Sequence, residues 1–414
     1  MKLIRPFNAL RPKKELAARV AAPPYDVLNR EEAFAMAQGN DVSFLRINKP
    51  EIDVDSSIDV YDARVYQRGA ENLQKFIDQG IMQRDSSACF YVYKQVMGSH
   101  AQIGLVAAAS VDAYEQDLIK KHEFTRPVKE DDRVNHINTL SAQVGPVFLT
   151  YRARPEIDGL IAEVTATMPE YDFVADDGNQ HVFWVVSEQA MVDKIQAAFD
   201  QVDCLYVADG HHRSAAAQRV KHIRKDANPA HTGQESYNFF STVIFPDNQM
   251  QILDYNRVIT DLNGLSEEEF LAKIQACFNV KESTNGAVKP SREREFGMYL
   301  GGKWYVLEVI DGLWDDSDPV ARLDASIIQN NLFQPVLGIE DQRRDKRIDF
   351  VGGIRGLGEL EKRVNSGEFA LAFAIYPTSI DSLMAIADAG EVMPPKSTWF
   401  EPKLKSGLFV HMLD

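Results

Sequence analysis

Cysteine is scarce in this chain: three in 414 residues, Cys89, Cys204 and Cys277, far apart and with no CxxC spacing. That argues against a disulfide framework or a zinc ribbon and fits a reducing cytoplasm. Long apolar runs are missing as well. No stretch approaches the roughly 18 residues that suggest a membrane span, and the opening "MKLIRPFNALRP" lacks the apolar core of a signal peptide. Positive charge is in deficit: 45 Lys and Arg stand against 61 Asp and Glu, a formal net charge of −16. A field of that sign repels phosphate backbones and disfavours nucleic acid as a partner. An anionic small molecule can bind only where local cations and backbone N–H groups override it. There is no low-complexity run and no internal repeat. A composition 45% hydrophobic and 26% charged is that of an ordinary globular chain, long enough for one large domain or two to three smaller ones.

Along the chain, "VAAPPYDVLNREEAFAMA" reads as an extended segment, a turn at Tyr25-Asp26, and a helix with Asn29 as N-cap. "DVSFLRINKPEID" reads as a short strand ended by Pro50, and "YDARVYQRGAENLQKFIDQGIM" as a helix stopped at Gly80. "ACFYVYKQVM" and "AQIGLVAAASV" form a hairpin about residues 98–100. "PVFLTY" and "HVFWVVS" are further strands. A helix over "EQAMVDKIQAAFDQV" leads to the strand "CLYVA" and then to the helix "RSAAAQRVKHIRKD". "FFSTVIFP" and "MQILDYNRVIT" look like another strand pair. From about 263 come a helix "SEEEFLAKIQACF", a hairpin turning at Gly301-Gly302, helices near 322–333, 355–366 and 379–388, a strand "FALAFAIYP", and "SGLFVHML" as the last strand. Strands and helices mix without a strict βαβ repeat. This predicts α+β, with a mixed sheet core in a main domain over 1–262 and a smaller C-terminal α/β portion over 263–414.

Between "CLYVA" and its helix stand Asp209, Gly210, His211, His212 and Arg213. The first N–H groups of a helix have no internal partners and carry partial positive charge. Gly210 allows close backbone approach, and Arg213 brings a planar fork of donors suited to phosphate oxygens. The histidines can donate or ligate, and Asp209 can hold a metal or orient a histidine. Together they make a phosphate cradle. The plainer alternative has Asp209 capping the helix and the histidines on the surface. Adjacent helical residues point about 100° apart, so His211 and His212 do not naturally share one ion.

Three other stretches carry chemistry. "IKKHEFTRPVKEDDRVNH" holds Lys120, Lys121, His122, Glu123, Thr125, Arg126, Lys129 and Arg133. It is either a solvated loop or part of an anion site with Glu123 as base or metal ligand. "HEFTR" lacks the second histidine of HExxH, so a zincin is unsupported. "MPPKSTWFEPKLKSGLF" offers Lys396, Ser397, Thr398 and Lys403 on a proline-stiffened loop, but the GxxxxG of a P-loop is absent. Asp26, in "VAAPPYDV", reads first as a turn former.

Seven segments in order, "RPFNALRP", "VAAPPYDV", "SFLRINKPEID", "HEFTRPVKEDDR", "ADGHHR", "LDYNRVI" and "MPPKSTWFEPKLKSGL", resemble the prokaryotic domain-of-unknown-function family 1015. Through its DGHHR-type strand–helix motif that family is similar to the ParB/sulfiredoxin superfamily, which includes free serine kinases. The resemblance implies that Asp209, Gly210, His211, His212 and Arg213 bind the phosphates of a nucleotide donor and a magnesium ion, with Asp209 as the metal ligand. It implies a glutamate upstream of the motif as the base that deprotonates serine. Glu123 is the candidate and Asp26 the second. Sulfiredoxin chemistry needs a cysteine within the motif, where this chain has histidine. The helix-turn-helix and basic patches of ParB are not seen either.

The expectation is therefore a cytoplasmic small-molecule kinase, with Mg²⁺ and a nucleotide as cofactors and L-serine as substrate by resemblance. Glu123, His212 and Asp26 are its catalytic candidates; Lys120, Lys396 and Lys403 would neutralise phosphate oxygens, with Ser397 and Thr398 beside them. A nucleotide-binding regulator and a metal-dependent phosphoesterase are the alternatives. Neither nucleic acid nor membrane is an expected partner, and a homodimer is left open.

Overall fold

In the computed structural model, which describes residues 1–413, the hairpin about Gly98 forms as its spacing predicts. Phe90–Met97 and His100–Ser110 pair antiparallel, from Met97↔His100 to Tyr91↔Val106. This hairpin lies within a nine-stranded mixed sheet. In spatial order the strands are Ile119–Lys120, Leu205–Asp209, Val147–Tyr151, Phe239–Pro246, His100–Ser110, Phe90–Met97, Gln180–Val186 and Tyr171–Val174, with Ile4–Arg5 also paired to His100–Ser110. Leu205–Asp209 runs parallel to Ile119–Lys120, and Phe239–Pro246 parallel to Val147–Tyr151.

Period-two alternation sorts the side chains of these strands. Leu105, Ala107 and Ala109 join Val147, Leu149, Val182, Trp184, Leu205 and Val207 in one buried cluster. Helices Pro155–Thr165 and Gln189–Phe199 add Ile157, Ile161, Val192, Ile195 and Phe199 to it. A separate cluster of Val134, Ile137, Ala216 and Val220 fastens helix Pro127–Leu140 to helix His211–Ala227. These two helices therefore hold the two most polar motifs of the sequence on a shared apolar seam.

The chain divides into two compact units: Met1–Met250 with the chain from Pro402 on, and Gln251–Glu401. Sequence texture puts the change near 262. In the second unit six strands form an antiparallel sheet in the order Phe278–Glu282, Lys303–Val309, Glu295–Leu300, Leu371–Ile375, Tyr255–Ile259, Ile348–Gly352. Its core gathers Phe270, Phe296, Met298, Leu332, Phe333 and Phe373. Both units are mixed α+β. Among the described residues no helix is long and apolar enough to cross a membrane, and all three cysteines are free thiols.

Most elements fall where the spacing puts them. Asn29 closes a capping box with Glu32, and Gly80 has a positive φ just beyond the helix Ala63–Asp78. Two expectations are corrected. "SFLRIN" is a helical turn, Leu45–Asn48, not a strand. Leu45 and Ile47 alternate as in a strand, but Phe44, Leu45 and Ile47 all bury in one cluster, each burial worth about 1.5–3 kcal/mol. The Asn48 side chain meanwhile donates to Pro23 O and Ser406 Oγ. Tertiary packing overrides the local pattern. "FFSTVIFP" and "MQILDYNRVIT" do not pair with each other. Phe239–Pro246 lies in the nine-stranded sheet, while Tyr255–Ile259 joins the second unit between Leu371–Ile375 and Ile348–Gly352. Apolar periodicity identifies strands but carries no information about distant partners.

Candidate active site

Strand Leu205–Asp209 reaches its end with a register irregularity between Val207 and Asp209. Gly210 follows at φ 99°, ψ 28°, a conformation that penalises a Cβ, and helix His211–Ala227 begins at once. No side chain caps this helix. The sequence alternative of an Asp209 cap is therefore not the arrangement found. Instead Asp209 Oδ2 accepts a hydrogen bond from Lys403 Nζ at 2.8 Å. Burial opposes ionisation of Asp209, but Lys403 and then Arg213 outweigh it and hold the carboxyl well below its usual range.

The parallel register Tyr206↔Lys120 explains how two motifs 86 residues apart meet. Both strands leave the sheet at the same end, one into "KHEFTR" and the other into "DGHHR". The Arg126 backbone N–H donates to His212 Nε2 at 3.0 Å. His122 and His211 stack edge to face with ring centroids 4.4 Å apart. Both are buried, and His122 Nδ1, His122 Nε2 and His211 Nε2 have no hydrogen-bond partner among the described residues. Burial, and then the neighbouring His211, hold His122 well below its usual value. Burial likewise pushes His211 down to about 4 against the pull of Asp209. Burial lowers His212 too, with Glu123 opposing. All three imidazoles are therefore neutral at physiological pH. His211 Nδ1 lies 3.7 Å from Glu123 Oε2, and that carboxylate is on the surface side of the pair.

Arg213 is fixed from behind. Its Nη1 donates to Pro146 O at 2.7 Å, Nη2 stands 3.5 Å from Asp26 Oδ1, and its guanidinium lies 5.1 Å from the Tyr25 ring. Arg133 sits 3.9 Å over that ring as well. A small cleft opens here, lined by Tyr25, Arg133, His136, Arg213 and Ser241 among others.

Of the residues expected from sequence, Asp26, Glu123, Asp209, Gly210, His211, His212, Arg213 and Lys403 are linked to one another by the contacts above. Lys120 lies on the strand beside Tyr206. Lys396, Ser397 and Thr398 belong to the second unit. There Arg257 donates to Pro395 O, Ser397 Oγ donates to Pro394 O, and Lys396 adopts φ 57°. Sequence reasoning names His122 only as part of the polar stretch, Tyr25 only as part of a turn, Arg133 only within that same stretch, and Ser241 not at all. The first two abut Glu123 and Asp26 and share their segments; nothing in the sequence marks Ser241.

The chain belongs to the protein family of unknown function DUF1015, whose model matches residues 4–326. No curated protein matches significantly. Among solved structures it is similar to a free serine kinase variant in complex with AMP, at 14% identity and TM-score 0.37, covering 73% of this chain and 92% of that one. It is also similar to a conserved hypothetical protein from Pyrococcus furiosus, at 14% identity and TM-score 0.34 over 73% and 95% of the two chains. A third is SbnI with a C-terminal truncation from Staphylococcus aureus, at 12% identity and TM-score 0.36 over 74% and 87%.

Proposed function

We propose that this protein is a phosphotransferase that moves a phosphoryl group from a nucleotide to the hydroxyl of a small molecule, with free L-serine as the acceptor. One observation carries the reading. At a single strand–helix junction an uncapped helix N-terminus, Lys403 and Arg213 gather positive potential, while Glu123 stands beside the buried, neutral His211. The choice of serine comes from the resemblance of the seven sequence segments to families related to free serine kinases.

In this reading the donor phosphates rest on the first amides of the helix, with Lys403 and Arg213 neutralising their oxygens. Lys120 lies on the adjoining strand and adds a third cation. Glu123 takes the proton from the acceptor hydroxyl. The new oxygen–phosphorus bond forms as the bond from the transferred phosphorus to the nucleotide oxygen breaks. Asp26 is the weaker choice of base, because its carboxylate already faces Arg213. His211 and His212 are positioning groups: one abuts Glu123 and the other fastens the "HEFTR" backbone. Phosphoryl transfer chiefly needs such positioning and charge stabilisation.

Asp209 offers one carboxylate for magnesium, and no group of three or more His, Cys, Asp or Glu among the described residues is placed to hold a metal. That suits an ion carried largely by phosphate oxygens, the usual mode for magnesium. When bound, it would neutralise charge on the phosphates.

The test is incubation with Mg²⁺, ATP, ADP or pyrophosphate and L-serine, read by mass spectrometry for O-phosphoserine, with Glu123→Gln and His212→Ala alongside. Product that disappears in Glu123→Gln supports the reading. Tight nucleotide binding without product would replace it with a regulatory nucleotide-binding role, and release of phosphate without an acceptor with a phosphoesterase.

A further inference from the structure

The cleft beside Arg213 has walls of two kinds. Ile137, Val147 and Phe240 are apolar, while Arg133, Arg213 and Ser241 are polar. Arg133 is buried, and its Nε and Nη2 both donate to Asp132 Oδ2 at 3.0 and 2.8 Å. Nη1 has no protein acceptor among the described residues. The Asp132 carboxylate is itself fully engaged, since Oδ1 accepts from Tyr66 OH at 3.1 Å. Arg213 and Arg133 both rest on the ring of Tyr25, so two guanidinium groups converge on one small space.

Ser241 is 2% exposed, and its hydroxyl has no hydrogen-bond partner among the described residues. An unpaired buried hydroxyl is unfavourable, and a ligand oxygen in the cleft would remove that cost. His136 spends Nε2–H on Ile47 O at 2.9 Å, which leaves Nδ1 as an acceptor. The cleft thus presents guanidinium donors, a hydroxyl and an imidazole acceptor on a short apolar floor. Those groups match a small hydroxy acid or amino acid: a carboxylate for the guanidiniums, a polar group for His136 and Ser241, and a stem of few carbons.

We propose that this cleft seats the acceptor substrate of the phosphotransferase, a small carboxylate-bearing molecule whose carboxylate is held by Arg133 together with Arg213. The proposal deepens the phosphotransfer reading and rests on it for the word acceptor. Arg213 belongs to both the cradle and the cleft, which puts the two ligands side by side. Arg133 therefore determines specificity for the acid and has no part in holding the donor.

Calorimetric titration of the full chain with ADP present tests this. The probes are L-serine, glycerate, ethanolamine (which lacks the carboxylate) and inorganic phosphate, each against wild type, Arg133→Gln and Ser241→Ala. The expected result is saturable binding of L-serine or glycerate, at least tenfold weaker binding of ethanolamine, and no binding of phosphate. Arg133→Gln should weaken the acid at least tenfold while ADP affinity stays within twofold, which also shows that the variant is folded. Ser241→Ala, a smaller change, should weaken the acid severalfold. Equal binding of ethanolamine, preferential binding of phosphate, no binding of either acid, or acid binding unchanged in both variants would overturn the proposal. An acid that binds through Arg133 with no phosphorylated product leaves the cleft standing and removes the kinase. Phosphoserine formed with an unchanged KM in both variants does the reverse.

Discussion

The ammonium of Lys403 lies 2.8 Å from the carboxylate of Asp209, although 194 residues separate them. The pair joins the last strand residue before the glycine turn to a segment near the end of the sequence. It places a cation at the mouth of an uncapped helix. Asp209 anchors the ammonium of Lys403 there, while Asp26 stands 3.5 Å from Arg213.

Lys403→Met should therefore weaken nucleotide binding by about tenfold to a hundredfold, the loss of one charge-assisted contact. Stability should fall by only about 1 kcal/mol, because the pair is partly exposed. Asp209 contributes stability above the ordinary carboxylate pKa, and that contribution fades as pH falls below it. The variant should lose this acid-side fading, as read by thermal melts from about pH 5 down to about pH 2. Unchanged nucleotide affinity would contradict the assignment.

His211 supplies a second pH dependence, of known sign. Its folded value near 4 lies below the ordinary 6.5, so the unfolded chain binds the proton first. Stability should fall as pH drops from 6.5 to 4, by at most about 3 kcal/mol for this residue. His211→Asn should flatten that slope in chemical denaturation. An unchanged slope would mean that the ring is not the buried neutral group described.

Gly210→Ala tests the turn. The nearest atom to an added Cβ is Val147 Cα at 3.4 Å, so space is available and the cost lies in the backbone at φ 99°. Destabilisation of about 1–2 kcal/mol is expected. Nucleotide affinity should fall with it, because relaxing φ turns the first helix amides. Denaturant titration and nucleotide titration read the two effects separately.

In the second unit, burial pushes Asp324 up to about 7, with Oδ1 accepting from the Arg294 backbone N–H at 2.9 Å and Oδ2 without a partner among the described residues. Its favourable contribution is complete below the ordinary carboxylate pKa and is lost as pH rises towards 7. Asp324→Asn keeps the acceptor and removes the charge. It should stabilise this unit at pH 8 by one to a few kcal/mol (roughly), measured by hydrogen exchange of the Leu371–Ile375 amides. Destabilisation at that pH would contradict the account.

The junction itself was legible. Strand, turn and helix follow from the apolar run, the glycine and the alanines around Asp209–Arg213, and the mixture of a carboxylate, a histidine and cations in the stretch around "HEFTR" offered Glu123. The meeting of the two was not legible, because a two-residue parallel pairing over Ile119–Lys120 leaves no periodic trace. Nor was the pairing of His122 with His211 legible, since a buried histidine and a surface one read alike in sequence. The turn at Leu45–Asn48 was misread because local alternation of Leu45 and Ile47 cannot report that Phe44 is buried with them. Lys403 and Lys396 read as one proline-rich segment; only the contacts assign Lys403 to the first unit and Lys396 to the second.

The most direct measurement is a crystal structure grown with ADP and Mg²⁺. The account predicts phosphate oxygens on the backbone amides of His211 and His212, within hydrogen-bond distance of Lys403 and Arg213, and Glu123 facing the terminal phosphorus across an open space. ADP bound away from Gly210, or an Asp209–Lys403 pair that closes over the helix start and excludes it, would contradict the account.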